Sequence, residues 1–520
     1  MLDIKRIVQA TTVVTAIALV VKGLGFVEKL LLAYFFGTGI EMDAYLMAYS
    51  IPFSLYIVLR EVVEPSFLPT FVRTLGASVR DGWRLFGVVG TLLLLLLGAA
   101  TVAGVLLAEP LISAAAPGFS GPQYQLTVRL TRLVMPALLF LGLSTLTTAA
   151  LHAQKRFALP ALSMATFRAG PLLLFLILGG VQGLALGVIL GALGKLVFET
   201  AGLGRYLRQL RPSLDLGFPP VRTVGRLAAP LLVALGLSLF VGPLVENAFA
   251  SKAGVGGVSA LAYARKIAET LTTIVPYALA LVLLPFSAEM AAKRDNQALA
   301  RTLSGSVRVL TLFFLPVTLG LMILREPFVQ LLFERGAFTA ASTQLTAGPL
   351  LFYALALLPF ALEVIVVQFF FARQDTLTPV LTDVAAFLLN LALIPPLMAT
   401  LGLGGIALAV AVAKGLKVLA LLFVFGRRVP EFSLSSFWSF AGQMGLASLV
   451  TAGTLWAFLL FDVSLAGGQG LVALVVNLSA AAVLGGLVFF LVAYLLRVEE
   501  VRTWWRKGCC WGRSLIKGSV

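Results

Sequence analysis

The chain has 520 residues, 60% of them hydrophobic and 12% charged, with a formal net charge of +16. That composition excludes a soluble globular domain and predicts an all-α, polytopic integral membrane protein. The charge alone would suit a nucleic-acid binder, but it is gathered in short connections between apolar runs, which excludes nucleic acid as the partner.

Apolar runs of about 20 residues or more predict about fourteen transmembrane helices. They lie near 7–36, 43–72, 84–113, 125–151, 158–179, 182–204, 224–250, 258–290, 304–333, 344–372, 378–400, 403–426, 437–461 and 470–496. With the N-terminus inside, both termini and every connection after an even-numbered span are cytoplasmic. These segments hold most of the 39 Lys and Arg, among them Arg73, Arg80, Arg222 and Arg226. The opposite side shows little beyond Lys252 and Arg335. This asymmetry follows the positive-inside rule and predicts the even count and the orientation. The first apolar run is too long for a cleavable signal peptide. Cys509 and Cys510 fall in the basic tail and read as free thiols, with juxtamembrane lipidation the alternative.

In the first span Lys22, Glu28 and Lys29 interrupt a run that is otherwise apolar from Ile7 to Phe36. Each charge at bilayer depth costs roughly 2.5 to 3.5 kcal/mol on insertion scales, so all three must face protein or water. Lys22 and Lys29 share a helix face, and Gly23 and Gly25 loosen the backbone between them. The expectation is a bent helix lining a hydrated, substrate-facing interior; a buried structural ion pair is the alternative. The second span opens at Asp43 and carries Arg60, Glu61 and Glu64, with Arg60 and Glu64 spaced to pair along one face. Arg168 lies in the fifth span, and Lys195 and Glu199 in the sixth are spaced for a structural pair. His152, the only histidine, reads as ordinary loop surface beside Lys155 and Arg156.

The link from Arg205 to Arg226, with Pro212, Pro219 and Pro220 among basic residues, reads as a lobe boundary on the cytoplasmic surface, within reach of anionic lipid. Span seven contains Glu246 and Asn247. Span eight contains Arg265, Lys266 and Glu269, and either cation can reach the acid. Glu363, Asp383, Asn390, Lys414 and Lys417 follow in spans ten to twelve. Glu246, Asp383 and Asn390 are candidates for an all-oxygen site for a monovalent cation; isolated interhelical polar contacts account for them equally well. No other cofactor is expected. The last two spans carry no charge between Trp438 and Leu460 or between Gly470 and Leu496, as an appended, lipid-facing pair would.

Four phrases recur in order: Tyr49 with Tyr263, Leu68-Pro69 with Leu284-Pro285, Glu109-Pro110 with Glu326-Pro327, and Pro160 with Pro379. Their near-constant separation predicts an internal duplication. Six spans per copy is an even number, so both copies insert the same way, about an axis along the membrane normal. The expected organisation is an N-lobe over 1–215, a C-lobe over 216–430, the appended pair over 431–497 and a basic cytoplasmic tail over 498–520. The charges of spans one, two and eight would then face one central cleft.

Two stretches carry a family pattern. The segment 331–397, with LLFERGAFTAAST, FFFARQDTLTPV and NLALIPPL, resembles the MurJ/MviN family of lipid II flippases within the multidrug and oligosaccharide-lipid exporter superfamily. The N-terminal GLGFVEKLLLAYFFGTGIEMDAYLMAYSIP is similar to the family's first two helices. The RQDTLTP loop is the more specific match. The resemblance covers the whole chain and implies a flippase of the bacterial cytoplasmic membrane. Such a protein moves an undecaprenyl-diphosphate-linked peptidoglycan precursor outward by alternating access, with the head group in a central cationic cavity and the lipid tail along spans thirteen and fourteen. Where family members carry arginine in the first helix this chain has Lys22, and the next arginine and acid appear as Glu28 then Lys29. The family's cavity arginine of the eighth helix falls at Lys266, beside Arg265, while Asp43 and Glu269 match acidic positions.

The residues themselves weigh the same way. A diphosphate needs cations in a hydrated cleft, and Lys22, Lys29, Arg265 and Lys266 supply them, with Glu28, Asp43, Arg60 and Glu269 completing the expected site. A flippase for another lipid-linked oligosaccharide is the nearest alternative, and a drug/cation antiporter, which calls for an acid-dominated cavity, is more distant. A membrane glycosyltransferase would need acid/base residues on a sizeable external domain, and none is legible, so the chain is expected not to be an enzyme. A monomer with membrane lipids around it is the expected state.

Overall fold

A computed structural model describes residues 4–204, 206, 211–235, 241–432, 434–460 and 470–502. Arg205, Cys509, Cys510 and the tail beyond 502 lie outside the described residues. Every described element is helical. In order they are α1 (Ile4–Phe36), α2 (Ile40–Ala77), α3 (Val79–Leu106), α4 (Ala108–Ala115), α5 (Gly121–Val134), α6 (Ala137–Ala153), α7 (Ala158–Leu178), α8 (Gly180–Leu203), α9 (Pro219–Leu235) and α10 (Val241–Ser251). There follow α11 (Gly257–Ala292), α12 (Asn296–Ile323), α13 (Arg325–Phe333), α14 (Ala340–Leu355), α15 (Leu357–Ala372), α16 (Leu377–Leu401), α17 (Leu403–Arg428), α18 (Leu434–Leu460) and α19 (Leu471–Leu495).

Among the described residues ten helices are long and apolar enough to cross a membrane, or eleven if the bent pair α14 and α15 is one span. The expected fourteen is therefore only partly reached. The remaining apolar stretches include helices too, but within their runs α1 carries three charges and α11 four. The stretch read as span seven includes 236–240, outside the described residues, with α9, of 17 residues, before them and α10, of 11, after them. Charges within such runs are tolerated in a bilayer only where neighbouring protein or water meets them.

The helices gather into two compact units, Met1–Ala260 with Arg335–Phe338, and Leu261–Glu334 with Thr339–Val520. Each contains a long helix, a one-residue break, a short helix, a pair of helices parted by one or two residues and two further long helices. In the first unit this is α3, α4, α5 with α6, α7 and α8; in the second it is α12, α13, α14 with α15, α16 and α17. Helices α3 and α12 have the same length, 28 residues, and Glu109 and Glu326 stand in the first turn of the short helices that follow. Proline explains both breaks, of which the second is a 40° bend. Pro136, between α5 and α6, and Pro359, in the first turn of α15, cannot donate a backbone N–H to the preceding turn.

Packing in the first unit depends on small residues, because lipid gives two apolar helices no hydrophobic reason to associate. Gly183, Gly187 and Gly191 repeat every four residues on α8 and let α7 come close. A Cβ on Gly170 would lie 2.4 Å from the Gly187 carbonyl oxygen and 2.5 Å from Gly191 Cα. At the end carrying the α2–α3 turn, Phe67, Phe71, Trp83 and Phe86 pack with Leu146, Leu151, Leu203, Val221 and Val224. In the second unit α18 and α19 pack on α12, with Leu312, Phe440, Met444, Ala447, Phe489 and Ala493 in one cluster. Arg308 fixes that joint, reaching Glu500 at 2.8 Å and lying over the Phe440 ring at 5.4 Å. The outer face of α19 is apolar and exposed at Val472, Leu487 and Leu495, as the lipid-facing expectation requires.

Candidate functional site

In the first unit the charges of α1 are met by α7. Glu28 is buried and accepts from Arg168 Nη1 at 3.1 Å. Gly25 makes the room, since a Cβ there would lie 2.9 Å from the guanidinium carbon. The sequence offers Glu28 a substrate-facing role or a buried ion pair and names no partner; the fold pairs it with Arg168 across helices. Lys22 is exposed and Lys29 half-buried. Along α2 an aromatic ladder runs Tyr45, Tyr49, Phe53, with successive ring centroids 6.1 and 5.0 Å apart, and Phe53 lies parallel to Phe167 of α7 at 6.3 Å. The neighbouring faces of α1, α7 and α2 thus carry both an ion pair and stacked rings.

Asp43, in the first turn of α2, is fully buried. Its carboxylate accepts from the backbone N–H groups of Gly256 at 2.7 Å and Ser259 at 2.8 Å, and from Gln123 Nε2 at 3.4 Å. It caps the start of α11 from another helix, supplying the acceptor that the first turn of any helix lacks.

Two pairings differ from expectation. Arg60 turns to its neighbour Glu61, Nη2 to Oε1 at 2.5 Å, and not to Glu64. Glu64 instead meets His152 Nδ1 at 2.6 Å. His152 is therefore half-buried at the end of α6 and joined to α2, where the sequence reading placed it on an ordinary loop surface. Spacing along one helix could not anticipate a partner 88 residues away.

Each unit also buries an ionic centre where three helices meet. At α6, α7 and α8, Lys195 pairs with Glu199 as its spacing predicts, and Glu199 is wholly buried. That carboxylate also accepts from Thr147 at 2.6 Å, Thr148 at 3.1 Å and Ser163 at 2.6 Å, while Lys195 donates to Ser144 at 3.1 Å. At α15, α16 and α17, Glu363 takes Lys414 at 2.9 Å and Lys417 at 2.5 Å, and Lys417 also pairs with Asp383.

In the second unit Arg265 approaches Glu269 at 3.9 Å on α11, with Lys266 half-buried between them. The RQDTLTP stretch is a clasp. Asp375 accepts from the Thr378 N–H at 3.0 Å and hydroxyl at 2.7 Å, capping α16, and pairs with Arg428 at the end of α17. Gln374 takes the left-handed φ of 61° that reverses the chain. Burial pushes the Asp375 carboxyl up, but the Thr378 donors and the Arg428 guanidinium outweigh it and hold the group below the usual range.

Of the candidate cation ligands, Glu246 belongs to the first unit and Asp383 and Asn390 to the second. Asn390 is buried, with an Oδ1 that accepts nothing. Asp383 is half-exposed and already faces the Lys417 ammonium. Among the described residues no group of three or more His, Cys, Asp or Glu is placed to hold a metal.

Comparison with known proteins settles the family. The family model described as "Lipid II flippase MurJ" matches residues 32–492. The chain belongs to the lipid II flippase MurJ family. Members of that family are flippases, transporters and not enzymes, so the reading of a multi-pass bacterial membrane transporter stands. The chain is 27% identical over 517 residues to the probable lipid II flippase MurJ of Bdellovibrio bacteriovorus, covering 96% of each. To the lipid II flippase MurJ of Burkholderia cenocepacia it is 28% identical over 473 residues, covering 87% of this chain and 90% of the relative. Among solved structures, a lipid II flippase MurJ in an inward closed conformation superposes with a TM-score of 0.77 at 21% identity, over 91% of this chain and 97% of the other. An inward-facing multidrug transporter of the MATE family and MOP superfamily follows at 0.66 and 14%, over 80% and 98%. These likenesses place the fold within the MurJ and MATE group.

Proposed function

We propose that this chain carries lipid II, a polyprenyl-diphosphate-linked peptidoglycan precursor, from the inner to the outer leaflet of the bacterial cytoplasmic membrane by alternating access. It works as a monomer with both termini cytoplasmic, and the duplicated lobes 1–215 and 216–430 are its moving parts. Membership of the family over residues 32–492 carries the reading. The diphosphate meets the cations Lys22, Lys29, Arg265 and Lys266, whose positive charge serves an anionic head group and repels a cationic drug. Here the family's forked guanidinium donors are partly replaced by ammonium point charges.

The polyprenyl tail has a matching surface in the second unit. An apolar groove of about 520 Å³ runs between α12, α13, α18 and α19, lined by Phe313, Pro316, Phe328, Leu455, Ala482 and Gly486 among others. Small residues on α19 keep it open and bulky ones on α12 wall it, which suits a branched hydrocarbon. Depletion in the host, with labelling of lipid-linked precursors, tests the proposal. Lipid II should accumulate in the inner leaflet, and Lys22→Gln with Lys266→Gln should reproduce the defect at normal protein level. Accumulation of a different lipid-linked glycan, with lipid II unchanged, would overturn the substrate.

A further inference from the structure

The segment that joins α8 to α9 is held against the first unit at several points. Asp215 pairs with Arg84 of α3 at 2.5 Å, and the Ser213 N–H donates to Thr91 Oγ1 at 3.2 Å. The Arg211 carbonyl oxygen lies only 2.5 Å from where a Cβ on Gly87 would stand, so a glycine there is what admits the strand of chain. Arg84 also covers the Phe218 ring at 4.7 Å. Phe218, Val221 and Val224 then enter the core of Phe71, Trp83 and Phe86, which fixes one face of α9.

The other face of α9 is exposed among the described residues. A tight turn, with the Leu216 N–H donating to the Leu214 carbonyl at 2.8 Å, points Asp215 at α3 and leaves Leu214 and Leu216 outside, 57% and 58% exposed. On α9, Arg222 and Arg226 are four apart and exposed, with Leu227 beside them. Because Val221 shares a core with Phe71 and Trp83, this face is level with the α2–α3 turn that bears Arg73 and Arg80. None of Arg73, Arg80, Arg211, Arg222 and Arg226 is in an ion pair among the described residues. Of the nearby acids, Asp215 is taken by Arg84, and the Asp81 carboxylate pairs with none of these arginines among the described residues. Helix α3 has 28 residues and so is ~42 Å long, against a hydrocarbon core of ~30 Å. The first turn, with Arg80 and Asp81, therefore extends past the hydrocarbon, and the segment, touching Arg84, Gly87 and Thr91, runs along α3 from ~8 to ~18 Å in from that end.

Outward leucines beside arginines that lack carboxylate partners, next to the end of α3 that leaves the hydrocarbon, match the boundary between phosphates and acyl chains. The geometry points to a binding site for anionic phospholipid headgroups formed by residues 211–227, with Leu214 and Leu216 entering the acyl boundary and Arg211, Arg222 and Arg226 on the phosphates. A soluble acidic partner would satisfy the arginines but leave the leucines in water.

The full-length protein, with Cys509 and Cys510 changed to Ser, is labelled at Leu216→Cys with an environment-sensitive dye. It is placed in nanodiscs of phosphatidylcholine alone or with phosphatidylglycerol. Emission should shift to the blue and be quenched by doxyl lipid when phosphatidylglycerol is present. The shift should be lost with Arg211→Gln, Arg222→Gln and Arg226→Gln together. Native mass spectrometry of the unlabelled protein should show phosphatidylglycerol affinity falling roughly fivefold for each arginine removed. Equal emission in both lipids, or a shift and lipid count that survive the triple substitution while the melting temperature is unchanged, overturns the site. These readouts are independent of flipping, so they stand or fall apart from the substrate.

Discussion

At the junction of α6, α7 and α8, Lys195 and Glu199 lie on one helix and are sealed in, the carboxylate taking three hydroxyl donors besides the ammonium. At the junction of α15, α16 and α17, 219 residues further along, Lys414 holds the place of Lys195 and Glu363 the place of Ser144, the offset that also relates Pro160 to Pro379. There the acids come from neighbouring helices, a second lysine is added, and Asp383 is half-exposed. The first centre is closed within one helix and neutral hydroxyls complete it. The second ties three helices by charge alone and opens to its surroundings. Removing a charge from a dry site leaves its partner stranded, whereas in an open site other charges or water can compensate. The two centres should therefore respond differently to the same substitution.

The largest effect is expected at the closed centre. Lys195→Met leaves Glu199 buried without its cation and should destabilise by about 3 to 5 kcal/mol. It should appear as protein missing from the membrane or as a sharply lower melting temperature in detergent. The double variant Lys195→Met with Glu199→Leu should recover most of the loss, because Thr147 and Ser163 also bond their own helices at Ser144 and Pro160. A single variant as stable as the parent would show that the pair is not what the junction depends on.

At the open centre the lysines divide the work. Lys417 is buried and serves Glu363 and Asp383, while Lys414 is partly exposed and serves Glu363 alone. Lys417→Met should cost about 2 kcal/mol and Lys414→Met about 1, taking hydrogen bonds to charged groups at roughly 1.5 to 3 and discounting the exposed one. Equal losses, or a larger loss at Lys414, would contradict this assignment.

What could be read from the sequence divides along the same line as these centres. The Lys195–Glu199 pair was visible because both members lie on one helix at a fixed spacing, and the four ordered phrases exposed the repeated element order for the same reason. Partners from different helices were not visible. Glu64 with His152, Glu28 with Arg168, and Asp43 with the start of α11 are each joined by tertiary packing that no local period encodes. Spacing favoured Arg60 with Glu64, and His152 was the stronger competitor. One legible signal was passed over: Gly183, Gly187 and Gly191, a small-residue stripe that forecasts the close α7–α8 contact. Of the fourteen expected spans ten or eleven are long and apolar enough among the described residues, and the others carry charges within the run or include residues outside the described ones.

The smallest effect concerns the loops that precede α7 and α16, and it isolates charge from geometry. Both turn at a residue with φ 61°, Lys155 and Gln374, and both reach the end of the second following helix. In the first unit Arg156 donates to the Gly202 carbonyl at 2.7 Å, a cation at a helix C-terminus. In the second the equivalent residue is Asp375, which reaches α17 through Arg428 and caps α16 through Thr378. Only the second contact can titrate under mild acid. The folded Asp375 binds its proton less readily than the unfolded chain does, so its contribution is fully present above the ordinary aspartate range near pH ~4 and is lost as pH falls through that range and below. The melting-temperature gap between the parent and Asp375→Asn should therefore narrow from pH 5 to pH 3. The gap between the parent and Arg156→Gln should stay constant, since guanidinium and carbonyl do not change state there. If both gaps narrow together, the acid response belongs to the whole fold; if neither does, Thr378 and Arg428 hold the clasp through geometry without drawing on the charge of Asp375.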